Sequence, residues 1–230
     1  MSDRGAMQDV AAGRARTYGV LSALYTAAPT QDLVTTICNG GLVAEGASVP
    51  LSVAANELGD AFRDVATPGS YNELAAEHTR LFVLPSGVMP HESMYLDVNK
   101  RLGGRVTAGV QRYYENAGAR PAKACLELPD HMGVELEFMN FLCGIEAQLR
   151  SQPDAAGLPR CLKFQHDFLT EHLLRWYQPL CERVSRASSL DAYRALARLT
   201  AAFLQAEGEL VPQLIDELDS ESRTLCVPET

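Results

Sequence analysis

Close cysteine pairs are missing from this sequence. The six cysteines stand at 38, 125, 143, 161, 181 and 226, none as Cys-x-x-Cys, so their spacing offers no zinc or iron–sulfur site. Cys143 and Cys181 fall inside apolar helical patterns instead, where reduced core thiols belong. A Gly-x-Ser-x-Gly elbow and a Gly-x-x-x-x-Gly-Lys phosphate loop are absent too, which removes two common enzyme signatures. Gly103-Gly104 lies in a helical pattern with no strand before it, unlike a dinucleotide-binding turn. No apolar core of a signal peptide follows Met1, and no uninterrupted apolar run approaches a membrane span. The expectation is a cytoplasmic protein. Basic excess is lacking as well: the net charge is −9, against a general nucleic-acid binder and compatible with a cationic peptide partner.

Period-two alternation is nowhere sustained, and there is no internal repeat. What is present is apolar spacing of helical period, so the fold class is all-α. Helices are expected over about 7–27, from Thr30 to Asn39, and over 51–66. The next opens on a Ser70/Glu73 capping box; others cover 99–117, with Gly118 at its end, 160–186, with a kink at Pro179, and Ser188 to about Glu207. The segment 84–98 reads as an ordered loop. The chain divides into an N-terminal helical part (1–117), a hinge loop (118–130), a C-terminal helical part (131–207) and an acidic, partly ordered tail (208–230).

The organising stretch is Glu127 to Phe141. Pro129 biases Leu128 away from the α region, and Asp130 is placed to cap the helix that follows. Within that helix Met132, Leu136, Met139 and Cys143 form one apolar row, and Phe138, Leu142, Ile145 and Leu149 an adjacent one. Trp176, in the row Leu169, Leu173, Trp176, Leu180, is expected to lie buried against it.

Glu127-Leu128-Pro129-Asp130-His131, followed by Glu135-Leu136-Glu137-Phe138-Met139, resembles the hinge motif of the TorD/DmsD/NarJ family of redox-enzyme maturation chaperones. A second match lies upstream: Arg80-Leu81-Phe82, then Pro90-His91-Glu92-Ser93-Met94-Tyr95. The resemblance implies a helical fold and binding without turnover. Its partner would be the twin-arginine leader of a molybdenum-containing oxidoreductase subunit, held in the cytoplasm until cofactor insertion.

A leader of this kind offers adjacent guanidinium groups and an apolar stretch. Glu92, Asp130 and Glu135 are the candidate carboxylates. Leu81, Phe82, Tyr95 and Pro129 are the candidate wall, with His131 beside them.

Each residue also has a plainer reading. Asp130 is a helix cap, His131 an exposed first-turn residue, Leu81 and Phe82 core, and Glu92 and Tyr95 partners of each other or caps. His78 reads as a core histidine. His131 and Glu135, at i, i+4, have the spacing to share a metal, whereas His166 and His172 are poorly spaced for it; no metal or cofactor is expected. The alternative function is a helical assembly protein that binds a folded subunit surface. Monomer and homodimer both stay open.

Overall fold

The computed structural model describes residues 3–43, 47–65, 70–120, 126–152 and 154–225, with side chains from residue 5 to 220 apart from Ser70. The Ser70 hydroxyl of the expected capping box, Cys125 and Cys226 therefore lie outside the described residues. Ten α-helices are found among them: α1 (Asp3–Thr26), α2 (Gln31–Cys38), α3 (Val49–Val65), α4 (Ser70–His78), α5 (Ser93–Leu96), α6 (Arg105–Asn116), α7 (Met132–Ser151), α8 (Leu158–Phe168), α9 (Leu174–Ala187) and α10 (Asp191–Leu225). Short π-helical segments, Thr79–Val83 and Leu169–Leu173, follow α4 and join α8 to α9. No strand occurs among the described residues; one isolated antiparallel bridge pairs His91 with His131. None of the described helices is long and apolar enough to cross a membrane.

Local chemistry accounts for many boundaries. Thr30 accepts a hydrogen bond from Leu33 N–H (3.3 Å) and opens α2. Gly40 and Gly41 (φ 78° and 76°) then turn the chain out of it. Gly118 (φ 72°) follows the C-cap of α6 as expected.

The layout is set by α1 lying along α7, with α9 and α3 flanking α10. Tyr18, Leu21, Leu24 and Tyr25 of α1 are fully buried, as are Met132, Leu136, Met139 and Cys143 of α7. Each large apolar side chain so enclosed is worth roughly 1.5–3 kcal/mol. Gly133 permits the close α1–α7 approach, because a Cβ there would sit 2.2 Å from Thr26 Oγ1.

A buried ionic knot ties four helices together. Arg14 of α1 bonds Glu207 of α10 (2.8 Å), Glu146 of α7 (2.7 Å) and Gln165 of α8 (2.7 Å).

Four expectations are corrected. The helix expected from about residue 99 starts only at Arg105, after Gly103 at φ 70° and the extended N-cap Gly104. The helix expected over 160–186 is a continuous helical run that widens to a π turn at Leu169–Leu173, and Pro179 sits within α9. Segment 84–98 contains the short helix α5. The last helix does not end near Glu207. It runs through Pro212 to Leu225, because Leu214, with Leu210 and Leu218, continues the apolar face onto Leu158 and Leu162 of α8.

Candidate functional site

The two motif segments, far apart in sequence, are zipped together. Glu92 N–H donates to the Asp130 carbonyl (2.8 Å), and Met132 N–H donates to the Pro90 carbonyl (2.8 Å), on either side of the His91–His131 bridge. Tyr114 of α6 fixes the same loop by donating its hydroxyl to the Pro129 carbonyl (2.7 Å). Below the bridge the His91 and His131 rings meet edge to face, with centroids 5.0 Å apart.

The capping assignment is corrected. His131, extended at φ −77° and ψ 135°, is the N-cap of α7, and its Nδ1 accepts from Gly133 N–H (3.1 Å). Asp130 lies one residue further out. Its Oδ2 reaches across the zip and accepts from Ser93 N–H (3.0 Å), in the first turn of α5. His131 is buried rather than exposed. Burial, then the nearby His91 and His78, lower its pKa to about 3, so the ring stays neutral and keeps its acceptor.

Beneath the zip, α5, α7 and the α8–α9 junction meet in a second layer. His172, on the π segment, directs Nδ1 at both oxygens of Glu92 (2.8 and 3.1 Å). Trp176 Nε1–H donates to Glu135 Oε2 (3.2 Å), and the Trp176 ring lies 5.3 Å from that of Tyr95. Burial first, and then the charges of Glu92 and Asp130, hold Glu135 well above the usual carboxylate range.

Three acids therefore converge with 1% exposure or less: Glu92, Asp130 and Glu135. Asp130 Oδ1 and the Ser93 hydroxyl, both enclosed, have no hydrogen-bond partner among the described residues. Burying such atoms unpaired costs roughly 1–3 kcal/mol each.

Six of the eight residues singled out by sequence meet here: Glu92, Tyr95, Pro129, Asp130, His131 and Glu135. Tyr95 and Pro129 are half-buried at the rim. Leu81 and Phe82 do not join them. Both lie in the core, with Phe82 against Tyr25 (5.4 Å) and Tyr193 (6.0 Å). His78 is likewise a core histidine, 5.2 Å from Phe82.

Two members were not read from sequence. The sequence offers Ser93 only as a residue type of a triad with Asp130 and His131, and the part it plays here is a backbone N–H. His172 was weighed only as a metal ligand with His166, although it stands i, i+4 from Trp176 on one helical face.

The sequence model of the family described as nitrate reductase delta subunit matches residues 47–182. The chaperone protein TorD of Vibrio cholerae is 29% identical over 147 residues, covering 63% of this chain and 65% of that relative. That stretch spans just under two thirds of the relative's length. The selenate reductase assembly chaperone protein of Thauera selenatis is 32% identical over 150 residues, 63% of this chain and 76% of that one. Among solved structures, a putative redox enzyme maturation protein from Archaeoglobus fulgidus superposes with a TM-score of 0.47 at 18% identity, over 81% of this chain and 92% of that one. The relatives are named as chaperones, in agreement with the resemblance carried by the two motifs. With more than half of its residues inside the matched family model, this chain belongs to the nitrate reductase delta subunit family.

Proposed function

We propose that this protein is a cytoplasmic maturation chaperone that binds the twin-arginine leader of a molybdenum-containing oxidoreductase subunit and releases it after cofactor insertion. The observation that carries the reading is the zip itself. Residues 90–93 and 129–132, the segments that resemble the family motifs, are hydrogen-bonded into one unit. Its function is binding, with no chemical turnover. Glu92 and Asp130 form the acidic layer beneath the motif surface, and Asp130 Oδ1 is an acceptor without a partner among the described residues. Tyr95 and Pro129 form the rim, His131 and Glu135 hold the acids in place, and Leu81 and Phe82 support the adjoining core.

Calorimetry with a synthetic leader peptide tests this. Binding is expected to the peptide with both arginines, and to fall at least tenfold when both become glutamine. Equal affinity for the two peptides refutes leader recognition and leaves the chain as an assembly protein for a folded surface.

A further inference from the structure

The enclosed acids raise a question of access: no carboxylate of the zip is more than 1% exposed. Two acids beside the motif are exposed, Glu127 and Glu137. Glu127 faces His91, with its Oε2 3.9 Å from Nε2. Glu137 lies one turn into α7 from Gly133, and the partner it shows is the Asn140 amide at 3.3 Å. Among the described residues no cation pairs with it. The rim at Tyr95, in contrast, already carries one: the Arg183 guanidinium sits 5.0 Å over its ring.

Glu137 also lines two neighbouring hollows. One, of about 480 Å³, lies between α1 and α7 and includes Ala23, Ala27, Leu33 and Val134. The other, of about 310 Å³, lies between α7 and the end of α6 and includes Val134 and the half-exposed Phe141. Val134 and Glu137 line both, so a carboxylate stands on the α7 ridge between the two hollows. Arg120 lines the second hollow but makes no ion pair with Glu137 among the described residues. The first hollow starts at the motif, because Gly133 is both one of its walls and the residue whose N–H His131 Nδ1 accepts.

We infer that this pair of hollows astride α7 is the seat of the leader, with Glu137 as the accessible anchor for a guanidinium and the two hollows taking the flanking apolar side chains. The inference rests on the leader-binding reading above and names the surface on which it happens. Charge complementarity and continuity with the zip select the occupant: a cation-bearing apolar peptide, as opposed to a neutral helix or a second acidic copy of this chain.

The test titrates the full chain with a synthetic peptide of two adjacent arginines followed by a leucine- and alanine-rich stretch, and with its twin-glutamine counterpart. Glu137 and Ala27 are exposed, so Glu137→Gln and Ala27→Arg should melt like the parent. Glu137→Gln should weaken arginine-peptide binding about tenfold, the scale of one charge-assisted hydrogen bond, and leave any residual binding of the glutamine peptide unchanged. Ala27→Arg fills the first hollow and adds a repelling cation, and should weaken binding by at least as much. Full affinity in both variants overturns this seat while the leader reading stands. An equal loss by Glu137→Gln for both peptides overturns Glu137 as the arginine anchor. No binding by the parent overturns both the seat and the reading beneath it.

Discussion

Around Arg14, two cations meet two acids; around Asp130, three acids meet no arginine or lysine among the described residues. In the first cluster Arg14 bonds Glu207 and Glu146, Arg150 bonds the other Glu146 oxygen (2.8 Å), and Tyr18 donates to Glu207 (2.9 Å). Charge is balanced there. In the second cluster the counterweights are a histidine, an indole and a backbone N–H, while Asp130 Oδ1, Glu135 Oε1 and the Ser93 hydroxyl are unmatched among the described residues. Both clusters are equally deep, so burial alone does not mark a functional site. The two differ in pairing: the ions of the Arg14 knot are matched, and among the described residues the zip keeps acceptors without a donor.

Arg14→Ala should produce the largest effect on this contrast. It leaves Glu207 and Glu146 buried without their guanidinium, and chemical denaturation should show a loss of about 3–5 kcal/mol. Whatever folded protein remains should bind leader peptide as the parent does. A large affinity change at constant fold would mean that the Arg14 knot belongs to the site.

Next in size is Asp130→Ala, which orphans Ser93 N–H and should cost about 1–3 kcal/mol in the same measurement. Asp130→Asn keeps an acceptor for that N–H and should lose markedly less stability. If the two substitutions are equally destabilising, the carboxylate is holding α5 by its charge and not by the Ser93 bond.

The smallest effects are in the pH dependence. The folded pKa of His131 is lowered to about 3 from an ordinary 6.5. Between those values the unfolded chain binds the extra proton, so its stabilising contribution is lost as pH falls from 6.5 toward 3. Glu135 has the opposite sign. Its folded pKa is raised from 4.5, the folded chain keeps the proton, and stability declines as pH rises above 4.5. Glu135→Gln retains an acceptor for the Trp176 indole and removes that decline. Thermal melts should show the variant gaining on the parent progressively above pH 4.5. A constant offset at every pH would show that Glu135 is not the group responsible.

The helical rows were legible because each requires only local periodicity. Met132, Leu136, Met139 and Cys143 are all buried, and Trp176 is enclosed against α7 as expected. Thr30 capped α2 because its partner is three residues away. Asp130 could not be placed the same way. Its partner, Ser93, is 37 residues distant, and both Asp130 and His131 carry acceptors competent to cap α7, so only the tertiary fold assigns them. Pro179 and Pro212 are strong local signals that tertiary packing overrides. Leu180 and Val184 after the first, and Leu214 after the second, are buried on the same faces as the residues before them.

The π segment Leu169–Leu173 sets the angular phase of α9. A π turn closes over one more residue than an α turn, so everything C-terminal to it is rotated by about one residue's step, ~100°, relative to an unbroken helix. His172 lies inside that step and Trp176 just beyond it. An uninterrupted helix of the same sequence could face Phe168 into the core, or Trp176 toward Glu135, but its phase would not suit both. One surplus residue between α8 and α9 thus serves as the angular setting that aims an indole and an imidazole at the acids of the zip.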